Sequence, residues 1–180
     1  MFFLMANNLN ALLLLESPTA LLRIEQALRS QDELSPDQEA VLGALIWLRC
    51  TSGSAGLLGC VLHQDCAKLI DDLPDQLARI GATDAAEATR KLRNAIPLND
   101  ERIKYGLVDW IDTQPDICNK ARELDEGLNE VDQTIWDFMK GDASDIPDLE
   151  IPTRINSILS SVAGIFRSSG EGPASVGRTE

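Results

Sequence analysis

The stretch from Ser35 to Arg49, Ser-Pro-Asp-Gln-Glu-Ala-Val-Leu-Gly-Ala-Leu-Ile-Trp-Leu-Arg, decides the fold class of this 180-residue chain. Ser35 is a favoured N-cap residue, and Pro36 suits the first position of a helix. Gln38 stands three residues after the cap, where its side chain can complete a capping box. The sequence therefore predicts a helix that begins after Ser35 and runs to about Arg49.

Apolar residues recur at spacings of three and four along the rest of the chain, and no segment keeps a period of two. We therefore predict an all-α fold, a compact multi-helix domain. Its predicted parts are N-terminal helices packing on the core (1–34), an acidic helical domain (35–153), a C-terminal helix (154–167) and a disordered tail (168–180). Within the domain, Gly81 is the predicted stop of a helix over 66–80, and Pro97 ends a helix capped by Thr83.

The longest predicted helix, over residues 116–140, is amphipathic and acidic. Its apolar positions alternate spacings of four and three and fall on one stripe: Ile117, Ala121, Leu124, Leu128, Val131, Ile135 and Phe138. On the opposite side the pattern places Glu123, Glu126, Glu130 and Asp137, in a row of about 21 Å at ~1.5 Å per residue. A continuous helix would present this row as a rigid series of carboxylates.

The charge balance is strongly acidic, with 29 acidic and 16 basic residues, a net charge of −13 and a pI near 4.4. Residues 109–150 alone hold 13 acidic and 3 basic residues, a net charge of −10. Such a surface repels phosphate backbones and anionic membranes, so we expect neither direct nucleic-acid binding nor membrane binding. The charge favours a basic protein as partner.

The sequence offers few residues for acid–base catalysis, because it contains only one His, the commonest general acid or base, and only one Tyr. We therefore expect a non-catalytic protein without a cofactor. Gly53, Gly56 and Gly59 do not match a dinucleotide or phosphate-loop motif, and a turn with a close helix contact explains them better.

The spacing Cys60-x-x-His63-x-x-Cys66, with Cys50 as a fourth candidate ligand, is not an established zinc pattern. We expect no metal there, although a metal-binding or enzymatic helical domain around these residues remains an alternative.

No run approaches the ~18 apolar residues of a transmembrane helix. The apolar start of the chain lacks Lys and Arg, so a signal peptide is not expected. We expect a cytoplasmic protein whose four cysteines are reduced.

Two segments, within residues 35–97 and 124–138, carry motifs of moderate specificity. Residues 54–57 read Ser-Ala-Gly-Leu and residues 77–82 read Leu-Ala-Arg-Ile-Gly-Ala, ahead of an Ala-rich stretch and Pro97. Residues 124–128 read Leu-Asp-Glu-Gly-Leu. Together they resemble a bacterial DNA-mimic protein family, acidic all-helical proteins formerly of unknown function. That family has Asn-Gly-Gly-Phe at the first motif, so the 54–57 segment departs from it, as does His63, where the family has Asn.

The resemblance implies a homodimer whose acidic surface imitates a DNA duplex. Such a protein binds the DNA-reading face of a helix-turn-helix transcription regulator and blocks its DNA binding. The carboxylates expected to replace phosphates are Asp109, Asp112, Asp116, Glu123, Asp125, Glu126, Glu130, Asp132 and Asp137. An immunity protein that neutralises a basic nuclease toxin would have the same composition, and an acidic face that is merely solvated is the remaining alternative.

Overall fold

The computed structural model describes residues 12–14, 16–126, 128 and 130–141, and in that part of the chain it contains helices, turns and irregular segments but no strand. The all-α prediction is thereby confirmed for these residues. The predicted helix over 154–167 and the tail over 168–180 lie outside them. The helices are α1 (Pro18–Arg29), α2 (Pro36–Thr51), a 3-10 turn (Gly56–Leu58), α3 (Gly59–Leu62), α4 (Gln64–Ala67), α5 (Leu73–Arg79), α6 (Thr83–Ala95), α7 (Glu101–Tyr105), α8 (Leu107–Asp112), α9 (Pro115–Asp125) and α10 (Val131–Lys140).

The predicted start of α2 is confirmed in detail. The backbone N–H of Gln38 donates to Oγ of Ser35 at 3.3 Å, and the backbone N–H of Ser35 donates to Oε1 of Gln38 at 3.1 Å. This reciprocal pair satisfies two donors that a helix start otherwise leaves without partners.

Helix α2 is the central element, because α1, the 3-10 turn, α3, α4, α5 and α10 all pack against it. Val41, Ala44, Leu45 and Trp47 on α2 are buried. A helix that meets neighbours on several sides needs apolar residues around most of its circumference, which the 40–47 stretch supplies.

The predicted helix over 66–80 is interrupted, since α4 ends at Ala67 and α5 begins only at Leu73. Pro74 stands in the first turn of α5, where the missing N–H of proline costs no helical hydrogen bond. The predicted stop at Gly81 is confirmed. Gly81 has φ +90, its N–H donates to the Ala78 carbonyl, and the next N–H donates to the Leu77 carbonyl, which together form a Schellman motif.

Helix α6 ends before Pro97 as predicted, with Ile96 in extended backbone. Its start differs by one residue, because Ala82 holds the N-cap position and Thr83 is already helical. Ala82 is both the last residue of the Schellman motif and the N-cap of α6, and no side chain caps this helix.

The predicted continuous helix over 116–140 is wrong, because α9 ends at Asp125 and α10 begins at Val131. Glu130, immediately before α10, has φ +64, a left-handed conformation that an α-helix cannot contain. The sequence between the two helices includes Gly127 and Asn129, which are weak helix formers.

Among the described residues, no helix has the length and apolar character needed to cross a membrane.

Candidate functional site

The predicted carboxylates lie on the part of the chain that we call the acidic segment, residues 107–140. Eight of the nine side chains are exposed and Asp125 is half-buried. The exposed ones are Asp109, Asp112, Asp116, Glu123, Glu126, Glu130, Asp132 and Asp137. The segment thus presents to solvent nearly every group that the sequence proposed for partner binding.

Apolar packing on the other side of the same helices explains this exposure. Ile111, Ala121, Val131, Ile135 and Met139 are buried, each at 7% exposure or less. Helix α9 packs against the 3-10 turn and α6, and α10 packs against α2. Because one side of each helix is held against the core, the acidic side faces water.

The break between α9 and α10 changes how the carboxylates are arranged. Seven of them belong to three helices, α8, α9 and α10, and Glu126 and Glu130 lie between the last two. The single straight row expected from Glu123 to Asp137 therefore does not exist. The acidic groups instead belong to separate short rows on a surface of several helices.

Asp125 differs from the other eight because it is half-buried and its carboxylate packs against Gly56. Its Oδ2 lies beside Gly56 and occupies the space that a Cβ atom there would need. Gly56 opens the 3-10 turn with φ +51, a conformation that suits glycine. The sequence placed Asp125 on the acidic flank, and no local pattern pointed to this contact with a residue 69 positions away.

Ion pairing separates the acidic segment from what we call the ion-paired segment, residues 18–95. In the ion-paired segment Arg49 Nη2 bridges Glu25 Oε1 at 3.3 Å and Asp65 Oδ2 at 2.8 Å. Arg79 pairs with Asp37 at 2.7 Å. The other pairs there are Arg29 with Glu25 and Asp65, Arg90 with Asp75 and Glu87, Lys91 with Glu87, and Arg93 with Asp71.

None of the nine predicted carboxylates forms an ion pair within the described residues. The acidic segment has nine acidic and three basic residues, a net charge of −6. One of its cations, Lys140, pairs with Glu16 outside the segment, and Arg122 hydrogen-bonds the amide of Asn119. Its negative charge is therefore not compensated from within the described fold.

Within the ion-paired segment, neighbouring cations lower the pKa of the carboxyl groups with which they pair. The hydrogen bond from Arg49 and the charge of Arg29 hold the pKa of the Asp65 carboxyl below its ordinary value of 3.8. Lys91 and Arg90 lower the pKa of Glu87 in the same way. Carboxylates so paired are poor sites for a basic partner, because their cations already occupy them.

The structure separates His63 from the cysteines that the sequence grouped with it. Cys60 and Cys66 are completely buried, whereas His63 is exposed. Within the described residues, no group of three or more His, Cys, Asp or Glu is arranged to hold a metal ion. Burial raises the pKa of Cys50 to about 12, and a hydrogen bond with Cys60 together with burial raises that of Cys66. Such thiols stay protonated and pack as small apolar groups.

Gly56 and Gly59 have the structural roles that their context predicted, a turn and a close helix contact. A Cβ atom at Gly59 would overlap the carbonyl oxygen of Cys50, so this glycine allows α3 to approach the end of α2 closely. Gly56 makes the turn with positive φ, and Gly53 meets nothing within 4 Å.

Comparison with known proteins gives no match to a family model, a curated protein or a solved structure. The resemblance to DNA-mimic proteins therefore stays a prediction.

Proposed function

We propose that this chain is a non-catalytic acidic protein that binds the DNA-binding surface of a basic protein, a helix-turn-helix transcription regulator, and blocks its access to DNA. One observation carries the proposal: eight predicted carboxylates are exposed on the acidic segment, and none of the nine forms an ion pair within the described residues. The resemblance noted above supplies the class of partner.

The charge distribution supports a docking role more than a general solubility role. Six of the eleven acidic residues in the ion-paired segment form ion pairs, whereas none of the nine on the acidic segment does so within the described residues. Nine unpaired carboxylates on one segment produce a directional negative potential, which speeds the approach of a basic partner. Association of this kind slows steeply as salt screens the charges.

The identity of the partner is tested by using the full chain as bait in host lysate at low and moderate salt. We expect a helix-turn-helix regulator that is retained at low salt, released by added salt and displaced by its own operator DNA. Capture of a nuclease toxin would instead establish the immunity-protein alternative. Retention of no basic protein at low salt would contradict the proposal.

The contribution of the acidic segment is tested on the captured regulator with a matched pair of variants. Glu123→Lys with Glu126→Lys reverses two exposed charges at the C-terminal end of α9, where cations suit the helix dipole and the fold should persist. Asp32→Lys with Glu33→Lys makes the same change in net charge on the exposed loop between α1 and α2.

We expect the α9 variant to lose at least ten times more affinity than the loop variant, measured by titration calorimetry at fixed salt. Equal losses in the two variants would show that only net charge matters, and unchanged affinity in the α9 variant would exclude this surface. Circular dichroism and urea unfolding verify that both variants fold.

The resemblance also leads us to propose a homodimer. Sedimentation equilibrium of the full chain tests this directly, with a mass of twice 19.7 kDa expected.

A further inference from the structure

An exposed apolar cluster lies at the start of the acidic segment. Tyr105 is 87% exposed, Val108 59% and Leu62 36%, although each is a large apolar or aromatic side chain. Tyr105 ends α7, Val108 lies on α8 and Leu62 ends α3, so three short helices contribute to one cluster. Single exposed apolar residues are common on protein surfaces, but a cluster with an adjoining cleft indicates a binding surface.

The same three side chains line a cleft of about 280 Å³, and Asp109 lines it with them. Asp109 is exposed and forms no ion pair within the described residues. The cleft thus combines an aromatic ring, two aliphatic side chains and an uncompensated carboxylate.

A larger neighbouring cavity of about 700 Å³ has a different charge character. It shares Tyr105 with the cleft but is also lined by Lys68 and by the ion-paired Arg93 and Asp71. Arg93 already neutralises Asp71, so this cavity does not favour a cation. The smaller cleft is therefore the part of this surface that is complementary to positive charge.

We infer that this cleft receives an arginine side chain of the basic partner. The inference rests on the proposed function and names where on the surface one partner residue inserts. The guanidinium stacks on the ring of Tyr105 and pairs with the carboxylate of Asp109, and the aliphatic stem packs on Leu62 and Val108.

Arginine fits these groups better than lysine, a drug-sized ligand or a second copy of this chain does. Its planar guanidinium stacks on aromatic rings and pairs with carboxylates, whereas the lysine ammonium is a more strongly hydrated point charge. Drug-sized ligands use pockets of roughly 300–1,000 Å³ that bury most of the ligand, and this cleft is smaller and open. A second copy of this acidic chain would bring like charges to Asp109.

The inference is tested with two probes, a nona-arginine and a nona-lysine peptide, added to the isotope-labelled full chain at low salt. Two-dimensional amide NMR maps the perturbed residues. We expect nona-arginine to perturb Leu62, Tyr105, Val108 and Asp109 in addition to α9 and α10. Nona-lysine should perturb the helices more than the cleft.

Variants then measure the role of the ring. Tyr105→Ala should weaken nona-arginine binding about 2- to 5-fold, the range of an exposed cation–π contact, whereas Tyr105→Phe should retain it. The preference for nona-arginine over nona-lysine should shrink in Tyr105→Ala. Because the side chain is 87% exposed, its removal leaves the core unchanged, which circular dichroism verifies.

The outcomes separate this inference from the proposed function. Perturbation confined to α9 and α10, with unchanged affinity in Tyr105→Ala, overturns the cleft and leaves the acidic docking surface in place. Absence of peptide binding at low salt overturns both. Perturbation at the cleft together with the selective loss in Tyr105→Ala supports the inference.

Discussion

The indole Nε1–H of Trp47 donates a hydrogen bond of 2.9 Å to Oγ1 of Thr89 in the core of the protein. Trp47 is 2% exposed and Thr89 is completely buried, so water cannot replace either partner. The bond joins α2 to α6, two helices that are 42 residues apart at this point. A buried polar pair of this kind fixes how the two helices are aligned, because any shift would leave both groups unsatisfied.

Replacing Thr89 with valine keeps the shape of the side chain and removes the acceptor. We expect Thr89→Val to lower the free energy of unfolding by about 1–3 kcal/mol, the cost of leaving the Trp47 N–H buried without a partner. Urea unfolding measures this. In the Trp47→Phe background the same substitution should cost much less, and equal costs in the two backgrounds would show that the hydrogen bond contributes nothing.

Gly59 and Gly53 form a matched pair for testing the close approach of α3 to α2. Alanine at position 59 would collide with the Cys50 carbonyl oxygen, a backbone atom that cannot rotate away. We expect Gly59→Ala to lower the free energy of unfolding by about 1–3 kcal/mol, the usual cost of overpacking a protein core. Gly53→Ala meets nothing within 4 Å and should be neutral or slightly stabilising. Urea midpoints that fall equally in both variants would contradict this account.

The pairing of Asp65 with Arg49 and Arg29 predicts a loss of stability in acid. The folded-state pKa of Asp65 is below 3.8, so the folded protein binds the proton more weakly than the unfolded chain does. The stabilisation is therefore complete above pH ~5 and disappears as pH falls through the folded-state pKa. Asp65→Asn should be less stable than the wild type at pH 7 and should approach it near pH 2. A difference in the free energy of unfolding that does not depend on pH would exclude this linkage.

Thiol reactivity should separate Cys118 from the other three cysteines. Cys118 is half-buried, whereas Cys50, Cys60 and Cys66 are buried, and burial raises the pKa of Cys50 to about 12. Since the thiolate is the reactive form, these buried thiols should react very slowly at pH 8. Titration with a chromogenic disulfide should give one fast thiol in the native protein and four in urea. Cys118→Ser should abolish the fast phase, and a second fast thiol would contradict the burial of the cluster.

Local signals in the sequence were sufficient to predict the start of α2, the stop at Gly81 and the end of α6 before Pro97. Each depends on hydrogen bonds or steric limits within about five residues, such as the Ser35–Gln38 capping box. Helical periodicity predicted the exposed side of α9 and α10 for the same reason, because it depends only on spacing along the helix.

The tertiary structure decided the features that depend on residues distant in sequence. Three features bring together segments that no local sequence pattern connects. They are the contact of Asp125 with Gly56, the pairing of Arg79 with Asp37 and the cleft around Tyr105. The tertiary structure also decided the break before Val131. Helix α9 packs on the 3-10 turn and α6, whereas α10 packs on α2, so different neighbours hold the two helices. The sequence by itself determined that this protein is helical and acidic. Only the packing of its helices decided which carboxylates are paired and which remain unpaired, because a charge is neutralised by whatever the fold brings within a few ångströms of it.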